Sequence, residues 1–166
     1  MNMRTTNTHI YFWGSFLSNW IPSNLSIEFD DNIFTNSEQI FMYLKAKYFK
    51  DEETAKEIVE LGTDPKIAKD LGRKVKNYNE KTWNNVREEM MYRAVLAKFN
   101  SDKTLHDKLI KTENKILVEG SPFDPIWGVK IRWDDNRILD EKNWEGQNLL
   151  GKVLMKVRET LKQIYK

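Results

Sequence analysis

The sequence predicts an α+β fold: a single, mostly helical domain with a few short strands. Three observations carry this reading. A chain of 166 residues accommodates one well-packed core comfortably and two with difficulty. Apolar residues recur at helical spacing over most of the stretch from Glu38 to Ile110 and again after Gln147, whereas strand-type alternation is confined to short runs. No internal repeat, low-complexity tract or linker divides the chain, so residues 1–166 are read as one domain.

The elements follow in order. His9-Ile10-Tyr11-Phe12-Trp13 is a β-prone run stopped by Gly14. Phe16 to Ser23 is a polar-aromatic loop, in which Pro22 disfavours helix at Ile21. Leu25 to Phe29 alternates apolar and polar, Asp30-Asp31-Asn32 makes a turn, and Ile33-Phe34 returns as the second strand of a hairpin. A helix then runs from Glu38 to about Lys50. Thr35 and Glu38 fit a capping box, and Asn36 or Ser37 is equally able to cap. Asp51 caps a second helix, Glu52 to Leu61, closed by Gly62. Asp64-Pro65 opens a third, whose apolar face is Ile67, Ala68 and Leu71. Asn77-Tyr78-Asn79 reads as a linker. Trp83, Val86, Met90, Ala94 and Ala97 then line a long helix to about Phe99, and Ser101 caps the next, with Leu105, Leu109 and Ile110 inward. Lys115 to Glu119 is a buried strand ending at Gly120. Ser121 to Gly128, with two prolines and a glycine, is irregular, and Trp133 to Asn143 is a polar connection. The last helix starts near Gln147 and presents Leu150, Val153, Leu154, Val157, Leu161 and Ile164 on one face.

Composition excludes several classes of function. There are no cysteines, so disulfides and thiolate metal sites are ruled out. The two histidines, His9 and His106, lack ligand-spaced companions, and the acidic pairs Asp30-Asp31 and Asp134-Asp135 read as turns; no metal and no cofactor are expected. Neither a P-loop, a dinucleotide Gly-rich loop nor a nucleophile elbow is present. No apolar run is long enough to span a bilayer and the N-terminus lacks a signal-peptide core, so a soluble, cytoplasmic protein without a membrane partner is expected. A net charge of +2 is too small for a broad nucleic-acid-binding surface, although it leaves room for a local basic groove. The six tryptophans, several beside Asn, Gly or Asp, suit a wall for a flat ligand as well as core packing.

Glu38 and Lys45 are seven residues apart, about two helical turns, and so project from nearly the same face. Phe41 and Met42 lie between them on that side, which places an acid and an amine on an inward stripe. Buried ionisable groups are costly unless paired or used. The bland alternative is a coincidence on a solvated face. Asp124, Trp127 and Gly128 sit in the irregular loop, a place for ligand contacts or for a core-plugging Trp127. Arg73, after Leu71-Gly72, suits a phosphate grip or a cation at a helix C-terminus. Trp83 at a helix start suits packing or stacking, and Asn19-Trp20 a turn or a contact.

Taken in order, the motifs are Ser18-Asn19-Trp20, Ser37-Glu38-Gln39 with Lys45-Ala46, Leu71-Gly72-Arg73, Trp83, Ala97-Lys98-Phe99 and Leu117-Val118-Glu119. Asp124 with Ile126-Trp127-Gly128, Gly146 to Gly151 (with Asn148) and Leu154 to Arg158 complete the set. Together they resemble the NADAR family, which includes YbiA-like N-glycosidases, from about Phe12 to Leu161. Where many relatives carry glycine two places after the Trp-Gly pair, this chain has Lys130, so a different backbone and an extra cation are expected there.

The resemblance implies hydrolysis of the bond between a ribose carbon and a nitrogenous base. It implies two substrate classes: phosphorylated ribosylaminopyrimidine intermediates of riboflavin biosynthesis, and ADP-ribose attached to guanine in DNA, the latter with single-stranded DNA as a partner. On this basis Glu38 and Lys45 are the catalytic candidates. Arg73 is expected to hold phosphate, Trp83 and Trp127 to stack, and Asn19 and Asp124 to hold sugar hydroxyls or base edges; Trp20, Gly128 and Asn148 complete the substrate-binding set. A carboxylate in the first turn of a helix is stabilised when ionised, by about 0.3–1 kcal/mol, so Glu38 is expected to work as an anion. A neutral Lys45 amine would allow a Schiff-base route, but making a lysine half neutral at pH 7 requires a shift of about 3 units. The alternative of another class is a non-catalytic module that binds ADP-ribose or a nucleotide.

Overall fold

In the computed structural model, residues 2–21 and 25–164 are described; the loop expected at Pro22-Ser23, and the effect of Pro22 on Ile21, lie outside them. The architecture is α+β, with six helices and a few short strands among the described residues. Its contacts divide the chain into two compact units, Met1–Ser18 with Thr104–Lys166 and Asn19–Lys103.

The Asn19–Lys103 unit begins with a hairpin, β3 (Ile27–Phe29) and β4 (Asn32–Phe34). Asp30 and Asp31 both have positive φ, 51° and 60°, the primed-turn geometry that matches strand twist. Helices α1 (Ser37–Tyr48), α2 (Glu52–Leu61), α3 (Pro65–Gly72) and α4 (Glu80–Ser101) follow. Asn36, Asp51, Asp64 and Asn79 each cap the helix they precede through a side-chain oxygen. The first helix ends two residues earlier than its pattern predicts. Lys50 takes φ +59° and closes a Schellman motif, in which the Asp51 N–H reaches the Ala46 carbonyl at 2.9 Å.

α1 is the central element of this unit. It packs against α2, α3 and α4, and every residue from Ser37 to Leu44 is buried. The inward stripe predicted from Glu38, Phe41 and Met42 is therefore part of a helix enclosed on almost all sides. Two other faces need correction. Ile67 is 45% exposed on α3, leaving Ala68 as its fully buried contact. On α4 the fully buried side chains are Trp83, Met91, Ala94, Val95, Lys98 and Phe99, with Val86, Met90 and Ala97 only half-buried.

The other unit holds a three-stranded sheet in the order β1 (Met3–Thr5), β2 (His9–Phe12), β5 (Ile116–Glu119). β1 runs antiparallel to β2, and β5 parallel, with Ile10 opposite Leu117. Tyr11, Val118, Val129, Ile131 and Ile138 form a core cluster supported by Ile116, Trp133 and Trp144. Helix α5 is Lys103–Ile110, so Ser101 ends α4 instead of capping α5. The connection after Trp133 contains two short 3-10 turns, and α6 (Leu149–Ile164) packs against β5 with Ile164 exposed.

Asn148 joins α6 to β5. Its Oδ1 accepts from the Glu119 N–H and its Nδ2 donates to the Leu117 carbonyl, both at 3.0 Å, so a side-chain amide satisfies a strand edge. Gly151 lies against this junction, where an added Cβ would overlap the Leu117 carbonyl oxygen and the Asn148 amide. Replacing Gly151 by Ala is expected to cost about 2 kcal/mol or more through overpacking. In a thermal melt that is a fall in Tm of about 5 °C or more for a chain of this size.

Candidate functional site

The Asn19–Lys103 unit gathers the chemistry on α1. Asn36 accepts from the Gln39 N–H at 2.8 Å, and Gln39 Oε1 accepts from the Thr35 N–H at 2.9 Å. This is a reciprocal cap with Asn36, not Thr35, as the capping residue. Glu38 therefore lies in the first turn, at the positive end of the helix dipole, and is only 6% exposed.

Lys45 is half-buried, two turns further on. Burial pulls its pKa down, the charge of Arg73 adds to that, and Glu38 opposes both. The three charged groups predicted separately are thus electrostatically coupled within one unit. The Lys45 ammonium also sits 4.6 Å from the centre of the Tyr78 ring, a contact that favours the charged form. Arg73 follows α3 directly and its guanidinium is exposed, 3.3 Å from Asp70. A surface pair of this kind is worth about 0–1 kcal/mol, so it leaves Arg73 available to an anion.

Tyr78 was read as part of a linker, and its role was missed. The segment is in fact fastened: the Lys76 N–H donates to Asp51, Asn77 Nδ2 donates to the Phe49 carbonyl, and Asn79 caps α4. Two asparagines flanking an aromatic between helices were the only signal available. Trp83 lies behind this segment. It is 6% exposed and packs against Phe41, Phe49 and Tyr48 at 5.4, 6.0 and 6.3 Å, while Phe49 touches Tyr78 at 5.4 Å. The structure thus gives Trp83 a packing position, supporting the ring on which Lys45 rests.

Asn19 is buried. Its Oδ1 accepts from Ser37 Oγ at 2.7 Å and its Nδ2 donates to Met91 Sδ at 3.0 Å. Those bonds fasten the chain ahead of the hairpin to the first turn of α1. Trp20 is exposed, with the Lys69 ammonium 5.3 Å from its ring. A hollow of about 470 Å³ at the hairpin turn is lined by Glu28, Phe29, Asp30, Asp31, Asn32 and Ile33. Its acids have the wrong sign for a phosphate, and it contains none of the predicted site residues.

In the other unit, Asp124 shapes its loop by accepting from the N–H groups of Ile126 and Trp127, both at 2.9 Å. Trp127 is half-buried. Gly128 is buried where a Cβ would stand 3.0 Å from the Glu119 carbonyl, and its own carbonyl accepts from the Asn148 N–H at 3.0 Å. Asn148 is correspondingly a fastening residue, with both amide groups committed to β5. Among the described residues, no group of three His, Cys, Asp or Glu side chains is placed to hold a metal ion.

A family model described as the NADAR domain matches residues 11–162. The chain belongs to the NADAR family. It is 34% identical to the N-glycosidase of Acanthamoeba polyphaga mimivirus, over 95% of this chain and 99% of that protein. With Protein irg-1 of Caenorhabditis elegans the identity is 44%, over 77% of this chain but only 61% of that longer protein. Against N-glycosidase YbiA of Escherichia coli it is 32%, over 81% and 75%. The NMR structure of E. coli YbiA matches the fold with a TM-score of 0.75 at 28% identity, covering 99% of this chain and 91% of that one.

In this NADAR chain Lys130 stands two places after Gly128. It takes φ +60°, the left-handed conformation glycine favours, and is exposed. A lysine is thus held in a conformation that is strained for a residue with a Cβ.

Lys98, in the Ala97-Lys98-Phe99 motif, is buried with its ammonium nitrogen 5.0 Å from the Phe99 ring, and burial lowers its pKa to about 7. An unfolded lysine titrates near ~10.4, so between pH 7 and that value the unfolded chain holds a proton that the folded chain has released. This contribution raises stability with pH across that window and is constant below it; Lys45, also lowered, acts with the same sign. The urea midpoint is expected to rise between pH 7.5 and 9.5. Lys98→Met should flatten that slope.

Proposed function

We propose that the chain is an N-glycosidase, a hydrolase that cleaves the C–N bond between a ribose carbon and a nitrogenous base. The names of the mimiviral and bacterial relatives support the reaction class. The observation that carries it here is the coupling of Lys45 to Glu38 and Arg73 around a capped, buried helix. A binder of an anionic ligand gains nothing from a buried carboxylate at that place, whereas an N-glycosidase does. The family match crosses both compact units, which supports reading residues 1–166 as one functional domain.

The substrates proposed share a ribose phosphate, an anomeric C–N bond and a flat base: ADP-ribose on guanine in DNA, or a ribosylaminopyrimidine phosphate. Arg73 is the phosphate ligand, since it is the exposed member of the coupled group. Asp124, Trp127 and Gly128 are assigned to substrate binding by the family resemblance.

In direct hydrolysis, the water oxygen bonds to the anomeric carbon as the C–N bond breaks. The base nitrogen keeps the bonding electrons and takes a proton. Glu38, ionised at the start of α1, stabilises the oxocarbenium-like transition state and accepts a proton from the water. Lys45, as the ammonium, assists departure of the base. The lowered pKa of Lys45 favours a second route, in which its neutral amine attacks the ring-opened sugar, expels the base and leaves a Schiff base for water to hydrolyse.

Two measurements test this. Glu38→Gln is expected to lower kcat by about 100-fold or more while substrate Kd changes little, because the interaction is made in the transition state. An unchanged kcat removes Glu38 from the mechanism. Borohydride added during turnover is expected to trap no sugar on the protein; an adduct that disappears in Lys45→Ala establishes the Schiff-base route instead.

A further inference from the structure

Within the Asn19–Lys103 unit, a flat base needs a ring that is reachable and that lies beside the group handling its leaving nitrogen. Trp83 fails the first condition, being 6% exposed and packed against Phe41, Phe49 and Tyr48. Trp20 is exposed, but the cation against its ring is Lys69. Tyr78 meets both conditions: it is 45% exposed, and the Lys45 ammonium stands 4.6 Å from its centre. The ring is also held in place. Phe49 meets it edge-on at 5.4 Å, and the chain on either side is fastened by the Lys76 N–H to Asp51 at 2.9 Å and by the Asn79 cap of α4.

One face of a ring cannot serve a cation and a base at once. A base stacked there takes the space in which the ammonium now sits. The ammonium gives that space up easily, because a cation–π contact at a partly exposed site is weak and the lysine stem is flexible. Leaving the ring also removes one of the two influences that keep Lys45 charged. Burial and Arg73 then push it towards the neutral amine with Glu38 opposing, so its proton is more readily given up. Arg73, five residues before Tyr78 in the chain, is exposed and suits the phosphate of the same ligand.

We propose that Tyr78 is the stacking ring for the base, and that the base and the Lys45 ammonium exchange places on it. Binding moves the ammonium from the ring face to the edge of the base, beside the C–N bond that is to break. As that bond breaks, its electron pair passes to the base nitrogen and Lys45 Nζ gives that nitrogen a proton. The amine left behind recovers a proton from solvent after the base departs. A ribose phosphate without a flat base leaves Lys45 docked on the ring, so the exchange also selects the substrate. The proposal rests on the N-glycosidase reading and deepens it, by assigning the base to a residue outside the ordered motifs.

Calorimetric titration of the full chain with guanosine 5′-monophosphate and with ribose 5-phosphate tests it. The parent chain is expected to bind the nucleotide more tightly. Tyr78→Leu should reduce that preference about fivefold or more, the loss of one base–aromatic stack, and Tyr78→Phe should keep it. NMR reads the exchange itself. The Lys45 Hε protons should be shifted upfield by the ring in the free chain, and should lose that shift on addition of the nucleotide but not of ribose 5-phosphate. An unchanged preference in Tyr78→Leu, no preference in the parent chain, or Lys45 protons that ignore the nucleotide overturns the proposal. Turnover of a ribosylaminopyrimidine phosphate and of an ADP-ribosylated oligonucleotide separates the two readings. Turnover with kcat and KM unaltered in Tyr78→Leu sinks the role of Tyr78 alone, and Tyr78-dependent nucleotide binding without turnover of either substrate sinks the enzymatic reading alone.

Discussion

Two buried amide side chains hold α1 in place. Asn36 and Gln39 are almost fully excluded from solvent, so every polar atom they carry needs a partner. Gln39 divides its amide between the Thr35 N–H and the carbonyls of Ile58 and Val59, at 2.9 and 3.3 Å on the donor side. Asn36 caps α1 with its oxygen and donates to the Thr63 carbonyl at 3.0 Å with its nitrogen. One cluster thus closes the N-terminus of α1 and ties it to carbonyls in the last turn of α2 and just beyond it, of which Ile58's also accepts from the Gly62 N–H. The position of Glu38, between these two amides in the chain, follows from that closure.

The second constraint is an electrostatic balance. Lys45 is pushed towards the neutral amine by burial and by Arg73, and towards the ammonium by Glu38 and the Tyr78 ring. The aromatic cluster behind Tyr78 matters here because it is rigid: Trp83 and Phe49 fix the ring, and the ring limits where the ammonium goes. Packing residues therefore reach the proposed chemistry through geometry. Asn19 belongs to the same category, since its bond to Ser37 holds the residue next to Glu38.

The parts legible in the sequence were those written in local chemistry. Asp51, Asp64-Pro65 and Gly62 announced their helix ends because capping and φ restriction act within a few residues. Lys50 announced nothing, since a lysine in a glycine conformation carries no compositional mark. β1 was missed because Met3-Arg4-Thr5 has no alternation of its own and is a strand only through pairing with β2. Ser101, a good capping residue, was consumed by an α4 longer than its apolar pattern. The burial of Lys98 ran against periodicity, which assigns a lysine to the outside. At the site, the spacing of Glu38 and Lys45 was legible from helical geometry. The coupling to Arg73 and the support from Tyr78 depend on tertiary placement of α3 and of the segment before α4. For Trp83 and Asn148, residue type alone carries no sign of the ring packing and the strand hydrogen bonds that the fold gives them.

The parallel pairing of β2 with β5 has a consequence for the order in which the molecule is made. Ile10 meets Leu117 across more than a hundred residues, so the sheet acquires its third strand only after nearly three-quarters of the chain has been synthesised. Residues 19–103, by contrast, contain all of their own helices and hairpin in one continuous stretch. They leave the ribosome whole while the N-terminal strands still wait for a partner. Closing that long loop costs entropy that is recovered only when α6 and the Asn148 junction arrive. The Asn19–Lys103 unit is therefore complete in the chain before β5 emerges, and until then β2 has only β1 to pair with.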